Sequence, residues 1–189
     1  MMGLQVESLA IPEVKLIQPV RHDDGRGFFS EIYNACRYGA VGICDNFVQD
    51  NHSYSVEVGV LRGLHFQIPP AAQAKLVRIA RGRIFDVAVD LRAGSPSHGQ
   101  WVSAELNAEN GLQLLIPHGF AHGFVTLEPD TEVLYKVDAY YAPDCDCGLA
   151  WDDPDIAIKW PIDRAPVLST KDQTQLSFAD FKTPFEYRH

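Results

Sequence analysis

Several signals are scarce or missing in this chain, and each absence removes a class of function. Basic residues are outnumbered: 16 Lys and Arg stand against 25 Asp and Glu, a formal charge of −9. A general nucleic-acid binder carries the opposite balance, so no nucleic-acid partner is expected. No apolar run approaches the ~20 residues of a membrane-spanning helix. The opening MMGLQVESLAIPEVK lacks a basic region followed by a sustained apolar stretch. Neither a membrane association nor a secretory signal is therefore expected, and the expected location is cytoplasmic. Cysteine is sparse. Cys36, Cys44, Cys145 and Cys147 form no C-x-x-C pair, and Cys145-x-Cys147 is a poor zinc signature, so free thiols are expected. There is no G-x-G-x-x-G, no P-loop and no G-x-S-x-G. That sets aside the dinucleotide fold, the Walker-type site and the serine elbow.

Strand signals fill the space that remains. The 189 residues, 46% of them apolar, suit one domain over 1–189 with extended terminal arms. Short alternating or β-branched runs, cut by Gly and Pro, predict strands at 14–19, 28–33, 47–52, 59–67, 75–80 and 83–91. Further strands are predicted at 100–106, 112–116, 120–127 and 131–138. Residues 21–27 read as a turn, Arg81-Gly82 as a tight hairpin, and 34–44 and 171–181 as short helices. From 143 onwards the chain is loop-rich. So many short strands predict an all-β fold, a jelly-roll barrel or sandwich with a pocket at one mouth. Period-two alternation puts Leu61, Gly63, His65 and Gln67 on one face. It likewise groups Ile84, Asp86, Ala88 and Asp90, and Val133, Tyr135 and Val137.

One stretch, Gly59 to Gly82, carries a half-kept metal pattern. Gly59, His65, Lys75 and Gly82 have the spacing of the first cupin motif, G-x5-H-x-H-(gap)-E-x6-G. Gln67 replaces its second histidine and Lys75 its glutamate. Gly111, Pro117, Gly119 and His122 keep the second motif, with Thr126 in place of the asparagine. A divalent ion wants imidazoles and a carboxylate. An ammonium at the carboxylate's position would repel it. The pattern predicts no metal and a fixed cation that stabilises an anion, an enolate or a phosphate.

Single residues remain ambiguous on this evidence. His65 reads as a base or as a histidine satisfied by a neighbouring strand. Lys75 reads as an inward cation or as a side chain snorkelling to solvent. His122 reads as a site residue or a hydrogen-bonded core histidine. Arg62 suits a phosphate clamp, with a surface arginine the equal alternative. Tyr135 is most simply a β-forming core residue, and Arg26 turn decoration.

Longer segments resolve much of this. GRGFFSEIYN, FVQDNHS, GVLRGLHFQ, QAKLVRIARGRIFDVAVDLR, SPSHGQW, AENGLQLLIPHGFAHGF, VLYKVDAYYAP, DPDIAIKWP and LSTKD closely resemble the dTDP-4-dehydrorhamnose 3,5-epimerase family, in that family's order, from about residue 4 to 175. The resemblance implies a cupin-type fold and no cofactor. It implies a thymidine-diphosphate 4-keto-6-deoxyhexose substrate, inverted at the two carbons flanking the ketone. By resemblance His65 is the base, Asp172 orients it, and Tyr135 is the acid on the opposite face. Lys75, helped by His122, would hold the charge growing on the ketone oxygen. Arg26, Glu31, Gln49, Asn51 and Arg62 match substrate-contacting positions, and Asp146 and Lys171 peripheral ones. Tyr140 is a candidate for stacking on the base. Phe28 and Phe29 lie in an arm, within about 1–50, that implies a homodimer with shared sites; about 143–189 would form a loop and helix extension. Residues 34–44 depart from the family's pattern, and His118 stands where it often has an acid. A one-carbon epimerase is the near alternative. A metal-dependent cupin enzyme and a non-catalytic sugar-binding barrel are the distant ones.

Overall fold

The computed structural model describes residues 3–187. Residues 1, 2, 188 and 189, the ends of the expected domain, lie outside the described residues. The chain is all-β. It opens with β1 (Gln5–Ser8), β2 (Lys15–Gln18), β3 (Arg21–Asp24) and β4 (Gly27–Ser30). Helix α1 (Ala35–Gly39) and β5 (Gln49–Ser55) follow. The central strands are β6 (Leu61–Gln67), β7 (Lys75–Arg81), β8 (Arg83–Asp90) and β9 (Trp101–Asn107). β10 (Gln113–Ile116), β11 (Phe120–Thr126), β12 (Thr131–Val137) and β13 (Asp146–Gly148) complete the order.

These strands build a cupin-like sandwich. One sheet has the order β1-β2-β10-β7-β12-β5, the other β13-β6-β11-β8-β9. Between them Val77, Ile79 and Val133 share a core with Ile84, Ala88 and Phe124. Each such side chain contributes roughly 1.5–3 kcal/mol when fully buried. Both outer faces are covered as well. Val87, Val89, Leu64 and Phe66 pack with Ile156, Trp160, Phe181 and Phe185 of the C-terminal segment. Ile17, Leu76 and Leu115 pack with Tyr38 and Ile43 around α1. Burial on both faces explains why β7 and β8 read as nearly continuous apolar runs.

Four local expectations change. Helix α1 is shorter than 34–44: Asn34 Oδ1 accepts from the Cys36 and Arg37 amides at its start, and Ala40 caps its end. Residues 21–24 are not a turn but β3, paired with β4 in a separate hairpin. The charged RHDD has no strand signal of its own and takes its conformation from its partner. The 171–181 helix is one 3-10 turn, Asp172–Thr174; the residues beyond it extend so that Phe178 and Phe181 reach the sheet. Arg81-Gly82 is not a hairpin, because β7 and β8 belong to different sheets. Gly82, at φ +78°, turns that corner, and a Cβ there would lie 2.3 Å from the Thr131 hydroxyl.

One register shift positions the site. His122 pairs with His65, but Phe124 pairs with Arg62, so two residues of β6, Gly63 and Leu64, oppose one of β11, Gly123. This is a β-bulge. It carries Arg62 onto the His65 side of the sheet, where strict alternation would not put it. Gly63 permits it: φ is +141° and a Cβ would lie 2.5 Å from the Gly123 Cα.

Candidate active site

A cavity of about 430 Å³ opens between the sheets at one end of the sandwich. His65 and Arg62 (β6) and His122 (β11) line it from the five-stranded sheet. Lys75 (β7), Tyr135 (β12) and Ser53 (β5) line it from the six-stranded sheet. Val167, Leu168, Ser169 and Asp172 close its rim. The rim segment runs parallel beside the start of β6: the Val167 amide donates to Gly59 O and the Leu61 amide to Val167 O.

His65 Nε2 lies 2.5 Å from Asp172 Oδ1. Hydrogen bonds from His65 and Ser169 hold the Asp172 carboxyl below its ordinary pKa, against the opposing effect of burial. An ionised carboxylate only accepts, so Nε2 carries a proton, and in a neutral ring the lone pair is on Nδ1.

The inward reading of Lys75 holds. Its side chain is buried, and Nζ donates to the His65 carbonyl at 3.1 Å. Burial pulls its pKa down to about 8, while Asp146 and Asp86 oppose the fall. The ammonium form therefore dominates at neutral pH, and the amine faces the imidazole strands.

His122 Nε2 lies 2.6 Å from Asp86 Oδ1, both buried. Burial outweighs that carboxylate and keeps the ring below the ordinary imidazole pKa. The other oxygen of Asp86, Oδ2, is buried with no partner among the described residues. Tyr135 has its pKa raised by burial, with the Arg62 cation acting the other way. Its hydroxyl has no hydrogen-bond partner among the described residues. Arg62 is anchored by Tyr54 O at 3.0 Å and by Ser55 Oγ.

The other expected residues do not line this cavity and fall into two groups. Asp146 and Lys171 form an ion pair at 2.5 Å beside the cavity, and Tyr141 donates to the same carboxylate oxygen. Gln49 and Asn51 are joined at 2.8 Å on the inward-facing side of β5. Tyr140 is exposed. The second group is not brought to this cavity. Arg26 sits at the tip of the β3–β4 hairpin and binds Asp24. Phe28 is exposed under the Arg21 guanidinium, and Glu31 pairs with Arg37. His118 pairs with Asp138 at 2.7 Å, and Asp138 also accepts the Ala74 amide, just before Lys75. That hydrogen bond holds the His118 pKa up.

Two cupin-motif substitutions are structural. Gln67 clamps the backbone of Ala71, Tyr140 and Ala142. Thr126 Oγ1 bridges Glu57 O and the Val60 amide. Sequence reasoning missed the roles of Asp86 and Ser169. An ionisable residue on the apolar inward face of β8 was the available signal for Asp86. Ser169 had only its place in LSTKD.

Comparisons with known proteins show the family and the fold. The dTDP-4-dehydrorhamnose 3,5-epimerase family matches residues 8–180. A dTDP-4-dehydrorhamnose 3,5-epimerase of Sinorhizobium fredii is 53% identical over 182 residues, covering 96% of this chain and 93% of that protein. The structure of a Bacillus anthracis dTDP-4-dehydrorhamnose 3,5-epimerase with TDP and PPi bound is 48% identical, with a TM-score of 0.90 over 93% of this chain and 99% of that one. A Legionella pneumophila dTDP-6-deoxy-D-glucose-3,5-epimerase in complex with dTDP-4-keto-L-rhamnose is 42% identical, with a TM-score of 0.94 over 99% and 100%.

Proposed function

This chain belongs to the dTDP-4-dehydrorhamnose 3,5-epimerase family and is an isomerase acting on a dTDP-sugar; from that premise we propose that it inverts C3 and C5 of dTDP-4-dehydro-6-deoxy-D-glucose by proton transfer through an enolate, giving dTDP-4-dehydro-L-rhamnose. One observation carries this reading. His65 and Tyr135 come from opposite sheets and face one cavity, so a sugar between them offers each a different face. Inversion requires removal of a proton on one face and its return on the other.

The roles follow from the protonation states. Asp172 holds Nε2–H of His65, and Nδ1 takes the proton next to the ketone. Lys75, cationic below about pH 8, stabilises the enolate oxygen in a site sheltered from water. Tyr135, kept protonated by burial, returns a proton. His122 gives its Nε2–H to Asp86, and its second nitrogen in the neutral ring accepts rather than donates. A sugar hydroxyl suits that nitrogen better than an enolate, so the oxyanion is assigned to Lys75 alone. We assign Arg62 to the diphosphate, and Gln49, Asn51, Asp146 and Lys171 to other contacts with the substrate.

Arg26, Phe28 and Glu31 lie off the single-chain cavity. We assign them to the site of a second copy, reached by the β3–β4 hairpin. The hairpin forms its own two-stranded sheet and exposes Phe28 and Phe29, 57% and 70% accessible. Apolar side chains that exposed suit burial against another subunit.

The test is incubation with the 4-keto sugar nucleotide in deuterated water, read by NMR. Deuterium at both C3 and C5, with the L-configured product, is expected. Exchange at one carbon only would mark a one-carbon epimerase, and no exchange a binding barrel.

A further inference from the structure

We propose that Ser169 is a positioning residue for the proton transfer, acting by fixing the rotation of the Asp172 carboxylate. This rests on the assignment of Asp172 and His65 above and extends it by one residue.

Asp172 has little regular structure to hold it. It opens a single 3-10 turn in the loop-rich C-terminal segment. The segment is pinned on either side by the bridges Val60 to Val167 and Leu149 to Leu176, which place the backbone but not the side chain. A carboxylate here can rotate about its last bond, a soft two-fold torsion. Only one setting of the carboxylate plane, with its equivalent half-turn, points an oxygen at His65.

Ser169 selects it. Its hydroxyl donates to Asp172 Oδ2 at 2.8 Å. The Ser169 hydroxyl oxygen in turn accepts from the Asp172 backbone amide at 3.1 Å, which fixes the hydroxyl's own direction. Among the described residues Oδ2 has no other hydrogen bond, and Asp172 is buried. Lys171, the adjacent cation, is engaged 2.5 Å from Asp146. Without Ser169 a buried anionic oxygen would be left unpaired, which proteins avoid. The carboxylate would answer by protonating or by turning away from His65. Either change releases the imidazole from the tautomer a base needs. Ser169 also lines the cavity, but the Asp172 backbone amide and carboxylate already occupy its hydroxyl.

The experiment compares Ser169→Ala, Ser169→Thr and Asp172→Asn with the same chain unaltered, by kcat, KM and the pH profile of kcat/KM. Ser169→Ala is expected to lower kcat roughly ten- to a hundred-fold, with KM within about threefold. The acid limb of its profile moves to higher pH, because a carboxylate without that donor is more basic and the Asp172–His65 pair holds its extra proton to higher pH. Ser169→Thr, which keeps the hydroxyl, restores most of the rate. The Ser169→Ala/Asp172→Asn double variant is no slower than Asp172→Asn alone, as expected for a residue acting only through Asp172. If Ser169→Ala fails to fold, Ser169→Cys, isosteric and a weak donor, carries the same comparison.

An unchanged rate and acid limb in Ser169→Ala, beside an impaired Asp172→Asn, would overturn this inference and leave the proposed function standing. A double variant showing both losses in full would overturn it too. A fully active Asp172→Asn would remove the orienting role of Asp172, and this inference with it.

Discussion

His65 and Asp172 stand 107 residues apart in the chain and 2.5 Å apart in the fold. The strand supplies one and an irregular C-terminal loop the other. His65→Ala is expected to abolish deuterium exchange at both carbons with the sandwich intact. Asp172→Asn should lose about 10²- to 10⁴-fold in kcat, because an amide stabilises the imidazolium poorly. Exchange by NMR and far-ultraviolet circular dichroism check the pair. Rapid exchange in His65→Ala would show that another base acts.

Lys75 should trade stability for activity. In the folded chain its pKa is about 8, against an ordinary 10.5. Below pH 8 it is charged both folded and unfolded, and the fold carries the full cost of burial. As pH rises from about 8 to 10.5 that cost is relieved, while the enolate loses its cation. Activity is therefore expected to fall through pH 8. Lys75→Met should be inactive yet more stable at neutral pH, on the order of 2–3 kcal/mol, the gain shrinking above pH 8. Urea unfolding at pH 7 and pH 9.5 measures it. A less stable Lys75→Met would contradict the assigned cost.

Tyr135→Phe separates the two half-reactions. Removal of the proton by His65 should survive, so deuterium still enters the substrate. Completed epimers should fall by about 10²-fold or more. Equal losses of exchange and product would take the acid role from Tyr135.

Gly63→Ala tests the bulge. The added Cβ would lie 2.5 Å from the Gly123 backbone at a φ of +141°. A loss of about 3 kcal/mol or more is expected, from overpacking and backbone strain together. Thermal melting measures it. An unaltered melting temperature would mean that β6 and β11 reach this register without the glycine.

Phe28→Ala with Phe29→Ala should weaken self-association without unfolding the sandwich, since neither ring belongs to the buried cores. Sedimentation velocity over a dilution series is the measurement. Arg26→Ala should raise KM and leave kcat nearly unchanged. If the double variant and the unaltered chain sediment alike as single chains, the shared-site proposal fails.

The strands were legible because their signal is local. Alternation in 131–137 placed Val133, Tyr135 and Val137 together, and in 83–91 it placed Asp86 with Ile84 and Ala88, now inside the sandwich. Lys75 was legible through its fixed distance to Gly82, since both lie on or beside one strand. The helix expected at 171–181 shrinks to one 3-10 turn, because two aromatic side chains, Phe178 and Phe181, gain more against the sheet than a polar first turn gains in a helix.

The sequence by itself determined the fold class, the family and which side chains of a strand share a face, since these follow from period, spacing and ordered segments along the chain. Only the tertiary structure decided which partners meet across it. The bulge turns Arg62 toward His65, the C-terminal loop delivers Asp172 and Ser169, and the opposing sheets separate base from acid. Contacts of that kind depend on registers set by the packing of the whole molecule, and no local run of residues encodes them.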